Sequence, residues 1–148
     1  MIIVFLLVLI PIQVNAEATK VIGERSAGGF HFKIIMDRSS FTWKIGSGSH
    51  RQSIQQSSEN EQTLERFRVA VNEAAGHRFI LILSAGYVFI IGLTTLVTFK
   101  KRKHIPLAAG LIIACLAVAA LYATITNYID MQAALQDAGY YYGTLLVE

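Results

Sequence analysis

Two runs of the chain carry no charge. Phe79 to Phe99 reads FILILSAGYVFIIGLTTLVTF, 21 residues, and Ile105 to Thr126 reads IPLAAGLIIACLAVAALYATIT, 22 residues. A helix crosses a hydrocarbon core of about 30 Å in roughly 20 residues, so each run is long enough to span a bilayer. Only residues 100–104 separate them. The pattern predicts an antiparallel helical hairpin, with one helix over 78–99 and the second over 105–127.

Upstream the period changes from helical to alternating. In GGFHFKIIMDRSSFTWKIG (28–46), Phe30, Phe32 and Ile34 alternate with His31, Lys33 and Ile35, and Phe41, Trp43 and Ile45 alternate with Thr42 and Lys44. Period-two patterning on both sides of Asp37-Arg38-Ser39-Ser40 predicts a β-hairpin with one apolar face, within an exported segment 17–46. An isolated hairpin is marginal in water, so that face needs another strand, a membrane surface or a partner chain.

The Ser/Gln-rich stretch that follows reads as a linker over 47–58. Ser58 with Glu61 three residues on is a capping-box pattern. Beyond it Leu64, Phe67, Val71, Ala74 and Ala75 recur at helical spacing. They predict an amphipathic helix over 59–77 with a bend at Gly76. After the second apolar run, 128–138 reads as helix with Gly139 as its C-cap. The tail to residue 148 opens with Tyr140, Tyr141 and Tyr142, which suit a strand beside the hairpin or an aromatic belt at a membrane interface.

The N-terminus, MIIVFLLVLIPIQVNAEATK, is apolar from Ile2 to Ile10, breaks at Pro11 and reaches small or compact residues at Val14-Asn15-Ala16. It predicts a signal peptide over 1–16. The fold class expected from these elements is a membrane helical hairpin of two spans with a small exported α+β element.

Charge then sets the orientation. Lys100, Lys101, Arg102 and Lys103 form the basic loop between the apolar runs. Lys and Arg in short loops stay on the cytoplasmic side, so residues 17–77 and 128–148 are expected outside, where the signal also sends the first of them. Both termini are thus expected to be extracytoplasmic in an integral membrane protein. The same four cations are positioned to meet anionic lipid headgroups. Residues 17–77 carry eight Lys/Arg against seven Asp/Glu. The overall net charge of +3 therefore comes mainly from the loop, and nucleic acid is not an expected partner. A hydrophobic fraction of 53% fits a small membrane protein.

Chemistry is sparse. The apolar runs hold no Asp, Glu, His, Lys or Arg, the residues that intramembrane proton relays and ion pathways require. His31, His50, His77 and His104 lack metal-site spacing, and there is neither a phosphate-loop pattern nor a serine elbow. No catalytic, cofactor or metal site is expected, and enzyme activity is not. Cys115 is the single cysteine, so no intrachain disulfide forms.

Association remains. Gly110 and Ala114, and Cys115, Ala119 and Ala123, form four-residue ladders of small side chains that let helix backbones approach closely. The contact would lie inside the hairpin, with other membrane protein subunits, or with a second copy. A signal, two spans over 79–126 and a short basic loop resemble, in architecture alone, the conjugative pilin subunits of type IV secretion systems. The β-plus-linker segment departs from that plan. The reading is a non-catalytic accessory, assembly or regulatory subunit of an envelope membrane complex, with a self-assembling structural subunit as the alternative.

Overall fold

The computed structural model describes residues 20–37, 40–100 and 107–147. The expected signal segment 1–16 and the loop residues Lys101, Arg102 and Lys103 lie outside them. The elements run β1 (Lys20–Ala27), β2 (Phe30–Asp37), β3 (Ser40–Ser47), β4 (His50–Gln55), α1 (Glu61–Lys100) and α2 (Leu107–Leu145).

The predicted hairpin is the centre of a four-stranded antiparallel meander ordered β1-β2-β3-β4. Alternation puts Phe32 opposite Ile45 and Ile34 opposite Trp43, so these four side chains share one face. Gly28 and Gly29 turn β1 into β2 with φ of 56° and 91°. Two successive positive φ values are what the tightest hairpin turn demands, and glycine meets them without steric cost. Gly48 (φ 60°) begins the β3–β4 turn, and its amide donates to the Gly29 carbonyl at 2.9 Å, tying the two turns together.

The apolar sheet face lies on the first part of α1 and the last part of α2. Phe32, Ile34, Trp43 and Ile45 pack with Leu64, Phe67, Val71 and Ala74 of α1 and with Ala134, Ala138 and Leu145 of α2. Phe67 meets Phe30 edge-on, with centroids 6.3 Å apart, and lies 6.1 Å from the Tyr142 ring. At the sheet's margin Trp43 Nε1 donates to Gln56 Oε1 at 2.9 Å, so the indole is buried with its polar atom satisfied.

Both helices are long and apolar enough to cross a membrane, and none of their most apolar windows is buried within the chain. At 40 residues, α1 extends about 60 Å, roughly twice a bilayer core. One half carries the sheet and the other is apolar. Polar contacts tie α1 to α2 at three levels. Arg66 donates to the Tyr141 hydroxyl at 3.3 Å, His77 Nδ1 lies 2.9 Å from Asn127 Oδ1, and the Ser84 and Thr124 hydroxyls are 2.9 Å apart.

Four expectations change. The segment 47–58 is not a linker: β4 occupies half of it, with Ile54 opposite Trp43. Residues 20–27, in which no strand was expected, form β1. The amphipathic helix and the first apolar run are one helix, unbroken at Gly76, and it begins at Glu61. Its cap is shifted from the predicted Ser58–Glu61 pair: Asn60 Oδ1 accepts from the Ser57 amide at 2.8 Å, and Ser57 Oγ accepts from the Asn60 amide at 3.3 Å. Likewise α2 passes through Gly139 and the tyrosines to Leu145, so the tail to that residue is helix, neither capped at Gly139 nor a strand. Packing explains it, because a Cβ on Gly139 would lie 3.6 Å from Phe30 and Leu145 is buried in the core.

Candidate interaction surface on the outer sheet face

The strands that bury Phe32 and Trp43 on one side turn their alternate residues to the other, away from the helices. Cross-strand register orders them into two adjacent rows. One runs Glu24, Lys33, Lys44, Ser53 and the other Ser26, His31, Gly46, Arg51, each with one residue from every strand. The rows border a shallow depression of about 930 Å³.

Charge on this face is one-sided. Among the described residues of the two rows, Lys33, Lys44 and Arg51 are opposed by Glu24 alone, whose carboxylate is 3.0 Å from Lys33 Nζ. That pair is solvent-exposed, at 38% and 62% for the two side chains, and contributes little. Lys33 and Lys44 are direct cross-strand partners. Like charges directly opposite each other destabilise a sheet by a few tenths of a kcal/mol up to about 1 kcal/mol, so this placement works against the fold and favours an external anion.

Gly46 shapes the floor. The His31 imidazole lies against it, and the His50 carbonyl is close on the other strand, so a Cβ at Gly46 would overlap both. The surface therefore offers two ammonium groups, a guanidinium, an imidazole and two serine hydroxyls, a set of donors for carboxylates or other anions. It offers no nucleophile held by a base. Among the described residues, no group of three or more His, Cys, Asp or Glu is arranged to hold a metal ion.

The residues singled out in the sequence fall elsewhere. Lys100 is exposed in the last turn of α1. Of the small-residue ladders, Gly110 and Ala123 are half-buried, whereas Ala114, Cys115 and Ala119 are exposed. The seam with α1 runs instead through Ala120, which is buried, Thr124 and Asn127. Within the hairpin the contact follows Ala120, Thr124 and Asn127, and Ala114, Cys115 and Ala119 are left exposed.

Tyr140, Tyr141 and Tyr142 are not at the end of an apolar run. Tyr140 lies 14 residues past Thr126, about 21 Å along the helix. Tyr142 packs on Phe30 and Phe67, and only Tyr140 is largely exposed. The hydrogen bond to Tyr141 holds the Arg66 pKa above its ordinary value. His31, His50 and His77 are not gathered into one site, since His77 belongs to the helix pair. No protein-family model, curated protein or solved structure matches the chain significantly.

Proposed function

We propose that the chain is a non-catalytic, membrane-anchored accessory subunit that presents its outer sheet face to an acidic surface of a neighbouring membrane protein. The observation that carries this reading is the one-sided charge of that face, with Lys33 opposite Lys44 and Arg51 beside them. The apolar halves support the anchoring, because nothing among the described residues covers them and Phe79, Leu96 and Val118 are each about two-thirds exposed. Hydrocarbon is the environment in which such surface is at no disadvantage. The basic loop at Lys100–Lys103 then belongs on the cytoplasmic side and the sheet on the other. Because the sheet packs along the sides of the helices, its outer face looks sideways, toward neighbours in the same membrane.

A photo-cross-linking residue in place of Ser53, introduced into the full chain in intact cells, tests the reading. We expect a discrete heteromeric adduct that is lost in Lys33→Glu/Lys44→Glu and kept in the distal control Glu59→Lys. Absence of any adduct would remove the proposal. A ladder of homomultimers would favour self-assembly, the reading to which the outward-facing Ala114, Cys115 and Ala119 point.

A further inference from the structure

The strands lie across the helix pair and are stacked along its length. Leu135 of α2 fills the space beside Gly28, at the end of β1. One turn further on, Gly139 meets Phe30 at the start of β2. Tyr142 and Leu146 border a hollow with Ser47 and His50, at the β3–β4 turn. On α1 the chain itself gives the same order: β4 ends at Gln55, just before α1 starts at Glu61, the end of that helix farthest from its apolar half. Moving from β4 to β1 is therefore moving toward the apolar halves. β1 is the edge nearest to them.

The distance is short. Leu135 is nine residues past Thr126, about 13 Å along the helix. The headgroup layer on each side of a bilayer is about 5–8 Å deep, and long cationic side chains extend across apolar or interfacial surface to place their charge. This edge also carries an irregularity: pairing with β2 shifts between Val21 and Gly23, and Val21 and Ile22 are 47% and 51% exposed. Bulges and charges are the usual means of keeping an edge strand from pairing with another chain. Lys20 and Arg25 on the strand are exposed, and Arg78 marks the start of the apolar run below. The acidic groups facing the same level are Glu73 and Asp130, both exposed, while Glu24 is engaged by Lys33.

We propose that the β1 edge faces the phosphate layer of the bilayer, with Lys20 and Arg25 reaching across the remaining gap to bind phosphate oxygens. The inference rests on the membrane anchoring proposed above. Phosphate oxygens accept charge-assisted hydrogen bonds from ammonium and guanidinium groups alike. The seat fixes the height and rotation of the outer face relative to the membrane.

The test uses the full chain in a Cys115→Ala background, one chain per nanodisc of phosphatidylcholine and phosphatidylglycerol. A fluorophore is attached at Ile22→Cys, at Gln52→Cys on the opposite edge, or at Leu93→Cys in the apolar half. Nitroxides on the lipid headgroup should quench the Ile22 probe and leave the Gln52 probe bright, while acyl-chain nitroxides quench the Leu93 probe. Lys20→Glu and Arg25→Glu should each reduce the seated fraction, read from headgroup quenching, by about fivefold. A quenched Leu93 probe with Ile22 as bright as Gln52 would overturn the seat and leave the anchoring intact. An unquenched Leu93 probe would overturn both. Shielding of Ile22 that requires two chains per disc would assign the edge to a second copy and overturn the lipid seat.

Discussion

Gly28 sits where two demands coincide. Its φ of 56° is reached cheaply only by glycine, and the Leu135 side chain occupies the volume a Cβ would need. The first demand is local and the second joins β1 to α2. Gly28→Ala should therefore lower stability by about 1–3 kcal/mol through strain and overpacking, read as a drop in thermal midpoint of the detergent-solubilised chain. Leu135→Ala removes the second cause but not the first. The double variant should recover part of the loss, with a coupling of about 0.5 kcal/mol or more, as residues in contact do. Strict additivity would show that Leu135 does not press on the turn. Gly46 has the same character on the other face, where its bare backbone accommodates His31.

Among the elements, those with strong periodicity were legible and those at the edges were not. β2 and β3 alternate because both of their faces are specified, one by the core and one by solvent. β4 presents only Ile54 to the core among otherwise exposed residues, so its composition is that of a linker. β1 buries only Ala27. Strands of this kind form because a neighbour supplies the ladder, and ladder bonds leave no mark on side-chain pattern. The same reasoning applies to the helix ends. Gly139 and three tyrosines resemble a stop, yet Phe30 and Phe67 hold Tyr142 in helical geometry. The basic outer face was visible as residues but not as a site, because Lys33, Lys44 and Arg51 become neighbours only through the register of three strands.

The seam between α1 and α2 yields a contrast at this scale. Ala120 is buried against α1 and Ala119, one position before it, is exposed. Ala120→Leu should overpack the hairpin at a cost of about 1–3 kcal/mol. Ala119→Leu should leave the isolated chain's melting unchanged and weaken only an assembly in which another helix covers that side. Equal melting of the two variants would mean that the helices meet along a different line.

For the whole molecule, the expected topology puts the sheet and the end of α2 on one side of the membrane. A cysteine at Ser49 or Gly143, in a Cys115→Ala background, should react with an impermeant thiol reagent in intact cells. Protection of both until lysis would reverse the assignment. What the sequence made plain at this scale is the pair of apolar runs and their basic connection. It did not reveal that each run continues into a helix twice the required length, because amphipathic and uniformly apolar patterns read as separate elements although the backbone ladder joins them.

That continuity has a mechanical side. Helices α1 and α2 enter the core below the sheet without a loop, a proline or a break at Gly76 among the described residues, and the Arg66–Tyr141 contact binds their far ends together. Such a pair behaves as a shaft rather than a tether. Helices in bilayers lean by about 20° on average, with the angle set partly by bilayer thickness. Over an outer arm of about 25–30 Å, a lean of that size carries the tip sideways by roughly 10 Å. With the apolar halves in a bilayer, as proposed, they and the sheet are geared to one another: a change of membrane thickness is then delivered to the outer face as displacement, undamped by any joint.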